Sequence, residues 1–193
     1  MPLTRIKSLG ITDGTILGTD VNSTFDLTGK TVTLPTGTGG KVLQVVHTTY
    51  QSQAVTTSGT PADISGFSAS ITPSSSSNKV LVFVSVQMGG PGNAYGYFLL
   101  LRGSTSLVVG NGASGSQVNV FLSSGYIDGV AAFRSGSNSY LDSPNTTSST
   151  TYKIQFASAN PGTSFYINRQ SSTDNGGYIN FPVSSITLLE IAG

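Results

Sequence analysis

The side chains able to do chemistry are few: one histidine, His47, one glutamate, Glu190, seven aspartates, and a lysine behind a crowd of glycines in "TLPTGTGGKVLQVV" (33–46). That last stretch has the outline of a phosphate loop, whose G-x-x-x-x-G-K-[ST] pattern cradles phosphates on backbone amides and sets a hydroxyl on magnesium. Aligned on Gly40-Lys41, it has Pro35 where the first glycine belongs and Val42 where serine or threonine belongs. A phosphate loop must also open a helix, whereas "KVLQVVH" (41–47) has the apolar, β-branched character of a strand. Phosphate binding is not expected, and the glycines read as a hinge.

Nucleophilic catalysis by serine needs a base, and His47 has only threonines beside it, with no G-x-S-x-G elbow in the chain. Glycoside hydrolysis needs two carboxylates facing one bond. The candidates are Asp63, Asp128, Asp142, Asp174 and Glu190, with Asp13, Asp20 and Asp26 near the N-terminus. Asp63, Asp142 and Asp174 stand in Ser, Thr, Gly, Pro and Asn-rich stretches, where aspartate bonds its own backbone in turns. "STDNGG" (172–177) lacks the alternating acidic ligands of a calcium loop and reads as a hairpin turn. "NST" (22–24) and "NTT" (145–147) are formal glycosylation sequons in hydroxyl-rich segments. No enzyme activity, cofactor or metal is expected. One ligand chemistry stays open: Tyr95, Tyr140 and Tyr178 lie among Asn, Ser and Gly in "GNAYGYF", "GSNSY" and "STDNGGY", the surroundings in which aromatic rings meet sugars on loops.

The elements that would carry these residues are strands. Charged residues make up 9% of the 193, against about 25% in ordinary soluble domains, and 24 glycines favour turns. In "NKVLVFVSVQ" (78–87), Val80, Val82, Val84 and Val86 share one face while Leu81, Phe83, Ser85 and Gln87 share the other, so a central strand covered on both faces is expected, by a second sheet or a neighbouring subunit. "TYKIQFA" (151–157) alternates with Tyr152, Ile154 and Phe156 inward. Further strands are expected in 67–72, 95–102, 105–109, 117–122, 129–134, 164–168 and 184–192, and the glycine-rich joints between them mark a sandwich or barrel of about eight to ten strands without helices.

Residues 1–40 differ: short apolar pairs are broken by Gly10, Gly14, Gly18 and Gly29, too little for a core and too apolar for a free tail. A net charge of +1 with scattered basic residues argues against nucleic acid. There are no cysteines, and no apolar run is long enough for membrane insertion.

"SITPSSSSNKVLVFVSV", "FLLLRGSTSL", "SPNTTSSTTYKIQFAS" and "SSITLLEIAG" together resemble the C-terminal β-sandwich of tailed-phage virion proteins of the tail-fibre and head-decoration type, domains that look like the jelly-roll heads of the tumour-necrosis-factor and C1q group. The segment "GTDVNSTFDLTGKTVTLPTGTGGKV" is similar to their N-terminal attachment pieces. The resemblance implies an all-β protein: an extended attachment arm over 1–40 and an antiparallel, jelly-roll-like knob over 41–193, assembled as a homotrimer at the virion surface. On this reading Ile11, Ile16, Leu17, Phe25 and Leu27 anchor the arm to phage capsid or tail proteins. Strand 79–87 and "YFLLL" (97–101) contribute subunit contacts as well as core, and a host surface glycan is a further possible partner.

Overall fold

The computed structural model describes residues 41–107, 112, 115, 118–129, 132–172, 176 and 179–193. The anchoring residues Ile11, Ile16, Leu17, Phe25 and Leu27, like Tyr178 and Asp174, lie outside them.

Lys41 leads directly into a strand, so the segment that a phosphate loop would continue as a helix is extended. Eleven strands follow in chain order among the described residues: β1 (Val42–Tyr50), β2 (Ala54–Thr56), β3 (Ala62–Ile71), β4 (Lys79–Gly89), β5 (Gly96–Arg102), β6 (Thr105–Ser106), β7 (Leu122–Ser123), β8 (Phe133–Asp142), β9 (Thr150–Ser158), β10 (Phe165–Ile167) and β11 (Ser184–Ile191). Every pairing is antiparallel. Sheet A runs β1-β11-β4-β10-β2, with β8 on the free side of β4; sheet B runs β3-β9-β5-β6, with β7 also on β5. The protein is an all-β, two-sheet antiparallel sandwich.

Alternation decides what fills the space between the sheets. Val80, Val82, Val84 and Val86 of β4, Ile186 and Leu188 of β11, Phe98 and Leu100 of β5, and Tyr152, Ile154 and Phe156 of β9 all point inward and are buried. Phe98 packs against Phe165 with ring centroids 5.5 Å apart, and Tyr50 stacks on Phe67 at 5.0 Å. Each fully buried apolar side chain of this kind contributes about 1.5–3 kcal/mol relative to exposure. Gly96 is required here: a Cβ at that position would stand 2.1 Å from the Phe165 ring. Gly66, at φ +82, sits where the register of β3 on β9 shifts between Asp63 and Ser68.

One expected strand and one segment read as loop come out differently. In "QVNVFL" residues 118–120 are not in a strand, and only Leu122–Ser123 pairs with β5. Its alternation instead inserts Phe121 into the core and leaves Val118 outside. The segment "GSNSY" (136–140), read as loop, is the middle of β8, paired residue by residue with β4 from Gly136↔Val86 to Tyr140↔Val82. A partner as apolar and long as β4 overrides the weak strand preference of Gly, Ser and Asn.

A polar fastening joins the sheets at one end. Arg102 Nη1, ending β5, donates to Asp142 Oδ1 and Oδ2 at 2.9 and 2.8 Å, and Asp142 ends β8 in the opposite sheet. Tyr152 Oη of β9 donates to the same carboxylate at 2.7 Å. Burial, and then the carboxylate it donates to, push the Tyr152 phenol far above its usual range. Asp142 is therefore a structural anchor rather than a turn residue.

Candidate functional site

Of the carboxylates considered for hydrolysis, Asp63, Asp142 and Glu190 are held by separate donors, and Asp13, Asp20 and Asp26 lie outside the described residues. Asp63 accepts from Lys153 Nζ at 2.6 Å and Gln155 Nε2 at 2.8 Å, and these bonds, that of Lys153 first, lower its pKa. Glu190 is buried in β11, where Asn78 Nδ2, Ser74 Oγ and Ser74 N donate to Oε1 at 2.6, 2.8 and 2.7 Å. Burial alone would raise the Glu190 pKa, but those donors outweigh it and the net shift is downward. His47 lies in mid-strand on the outside of β1, with Nδ1 2.8 Å from Thr187 Oγ1 and Nε2 3.2 Å from Thr49 Oγ1. Hydroxyls hold both ring nitrogens, and neither meets a carboxylate. Among the described residues, no three His, Cys, Asp or Glu side chains cluster as metal ligands would.

What the fold does build are two outward faces. On sheet A the registers line up side chains across four strands. Val45, Leu189, Leu81 and Leu141 form one row, and His47, Thr187, Phe83 and Ser139 the next, followed by Thr49, Ser185, Ser85 and Ser137. Val45 is 58% exposed, Phe83 45% and Leu141 47%. Ser85, Ser137, Ser139, Ser185 and Thr187 surround Phe83 in a shallow cleft of about 450 Å³. These rows hold no carboxylate, and Lys79 stands at their end. Among the described residues nothing covers the second face of β4, where coverage by a second sheet or a neighbouring subunit was expected. The other apolar segment, 97–101, behaves differently: Phe98 and Leu100 are core, Tyr97 and Leu101 are already buried, and only Leu99 stays half-exposed on its outer side.

On sheet B the outer face is charged and aromatic. The Asp63–Lys153 ion pair sits on it, and at its rim Tyr95 and Tyr126 meet edge-on with ring centroids 5.2 Å apart. The two rings are 42% and 46% exposed. Of the tyrosines named from the sequence, Tyr95 is exposed and lies just before β5, which begins at Gly96. Tyr140 is not a loop residue: it sits inside β8, opposite Val82, half-buried against the core. Tyr126 has no local sequence signal as a partner of Tyr95, and contacts such as the Ala94↔Ile127 bridge bring the two together.

No protein-family model matches this chain, and no curated protein matches it. Among solved structures it is similar to one titled "Structure of infectious bursal disease virus Gx strain", with 10% sequence identity and a TM-score of 0.41. The likeness covers 84% of this chain and 42% of that chain, so this chain spans less than half of that protein's length.

Proposed function

We propose that the chain is a non-enzymatic structural protein of a tailed-phage virion, a capsid decoration or short fibre whose β-sandwich knob self-associates as a homotrimer through the outer face of sheet A. One observation carries this reading: the rows from Val45 to Leu141 and from His47 to Ser139 form an apolar and hydroxyl surface free of carboxylates on a protein that otherwise relies on polar groups for solubility. Interface centres are depleted of charge and keep aromatic and aliphatic side chains, whereas open surfaces of this kind are rare on monomers. The three-fold order comes from the resemblance to jelly-roll heads, as does the role of residues 1–40 as the arm that anchors the knob to the particle. Symmetry would multiply each weak arm contact into avidity.

Light scattering on the full chain at micromolar concentration tests the reading. It is expected to give three times the chain mass, and Phe83→Asp combined with Leu141→Asp should reduce it to one. A monomeric wild-type mass would sink the reading. A chain lacking residues 1–40 should keep its trimer yet fail to join particles, and normal incorporation would remove the anchoring role. The paired Tyr95 and Tyr126 rings favour a second reading, in which the knob touches a host receptor; labelled protein that binds host cells but not particles lacking it would favour that placement over decoration.

A further inference from the structure

We infer that the rim of sheet B, where Tyr95 and Tyr126 stand beside a small uncharged cleft, is a binding site for a neutral saccharide. The argument starts from direction. A Cβ on Gly96 would strike the core ring Phe165, so position 96 faces inward, as do Ala94 and Phe98. Tyr95 and Tyr97 therefore both face out of the sandwich on the same side. Tyr97 leads into a cleft of about 320 Å³ lined by Val118, Val120, Ser123, Ala159 and Pro161. Ala159 joins the two parts, since its backbone N–H donates to Tyr95 O at 2.9 Å. The cleft thus adjoins the backbone that carries Tyr95.

The platform is fixed before any ligand arrives. Asn93 N donates to Ile127 O at 3.1 Å and Ile127 N to Ala94 O at 3.0 Å, which locks the backbone on both sides of the rings. Arg134 Nη2 donates to Tyr126 O at 3.4 Å, and Asn160 Nδ2 to Asn93 O at 3.5 Å. Asn93 itself holds φ +86, a conformation that asparagine tolerates better than most residues. A backbone held this way loses little freedom on binding.

The chemistry selects the ligand class. Two rings meeting at 63° offer one open face and one edge, an angled wall rather than a flat stack. A pyranose presents polarised C–H groups on one face, which suit the negative face of an aromatic ring, and hydroxyls around its edge. Hydrogen-bonding groups for such hydroxyls line the adjoining cleft: Ser123 Oγ, which accepts from Gly125 N at 3.3 Å and keeps its own proton to donate, and Tyr97 Oη, which donates to Gly59 O at 3.0 Å and keeps lone pairs to accept. The cleft is lined by no charged side chain, so an uncharged sugar fits it better than a uronic or sialic acid. Its volume lies at the small end of ligand sites, suited to a short saccharide rather than a long chain. The inference stands without the virion reading.

The test uses the full chain and an array of neutral methyl glycosides and short oligosaccharides of glucose, galactose, mannose and N-acetylglucosamine, with sialyllactose as the charged comparator. Saturation-transfer NMR should show magnetisation passing from tyrosine ring protons to at least one neutral sugar. Tyr95→Ala and Tyr126→Ala should each weaken its binding by about tenfold, and Tyr140→Phe should leave it unchanged. Should either alanine variant melt early, Val118→Arg, on an exposed cleft residue, serves instead and should abolish binding by filling the cleft. The inference is overturned if no neutral saccharide binds at millimolar concentration, if sialyllactose alone binds, or if the double tyrosine variant binds as well as wild type. It also falls if those substitutions lower the mass seen by light scattering, since the rings would then be a contact between copies.

Discussion

Sheet A shows the outside a row of four aliphatic side chains, Val45, Leu189, Leu81 and Leu141, beside an exposed Phe83 and a field of serines and threonines. Sheet B shows an ion pair, Asp63 with Lys153, and two tyrosines at one end. The backbones are alike, both being antiparallel strands with one face committed to a shared core. The difference lies in how each outer face is completed. Sheet B buries part of its outer face: Tyr97 and Leu101 are buried, and Val118 and Val120 share a cleft with Tyr97. Nothing among the described residues covers the centre of sheet A in the same way. A broad, uncharged surface suits another protein surface, which buries about 800 Å² per partner, whereas a small rigid aromatic corner beside a cleft suits a small ligand. Two kinds of recognition can thus be separated by face and attacked independently.

The strongest way to break the comparison is to cut the fastening that holds the faces in register. Asp142→Ala removes the acceptor shared by Arg102 and Tyr152 and leaves their donors near the end of the core. A loss of about 3 kcal/mol in denaturant unfolding is expected. Both faces should suffer together, with oligomer and saccharide affinity falling in the same variant. If only one function falls, the sheets are not coupled through this contact.

A smaller effect sharpens the comparison from the side of sheet A. Because hydrogen bonds from Asn78 and Ser74 depress the Glu190 pKa below its ordinary 4.5, Glu190 contributes stability above that value. The contribution is lost as pH falls through the depressed folded value. Glu190→Gln should cost about 1–2 kcal/mol at neutral pH and flatten the acid side of the stability profile. An unchanged profile would mean that another carboxylate governs acid unfolding. The smallest expected change is from Tyr140→Phe. Its half-buried ring should keep its packing, with stability altered by less than about 0.5 kcal/mol and neither face affected.

How much of this was legible in the sequence follows from which contacts are local. The valines of β4 and the Tyr152, Ile154, Phe156 series of β9 declare themselves, because alternation is a property of neighbours and the core reads it directly. The all-β sandwich follows from them. "GSNSY" did not declare itself, because what makes it a strand is β4, about fifty residues earlier. Asp142 reads as a turn residue for the same reason: its partner Arg102 is forty positions away. Of the rim site, Tyr95 was legible as an aromatic among small polar residues, and Tyr126 was not, since nothing local links it to Tyr95. The bare face of sheet A was half legible. Leu81 and Phe83 were visible as a second apolar face, but the rows that extend it through Val45, Leu189 and Leu141 exist only once register is known.

Because the chain has no cysteine, a single introduced thiol can report on either face. Ser137 and Ser123 are both exposed strand serines, the first beside Phe83 on sheet A and the second in the cleft of sheet B. Maleimide labelling of Ser137→Cys and of Ser123→Cys, each in the native full-length protein, compares the two faces directly. Self-association through sheet A predicts that Cys at 137 reacts many times more slowly than Cys at 123 at micromolar concentration, and that the difference vanishes on dilution or with Phe83→Asp. Equal, rapid labelling at both positions in the undiluted wild-type background would contradict it.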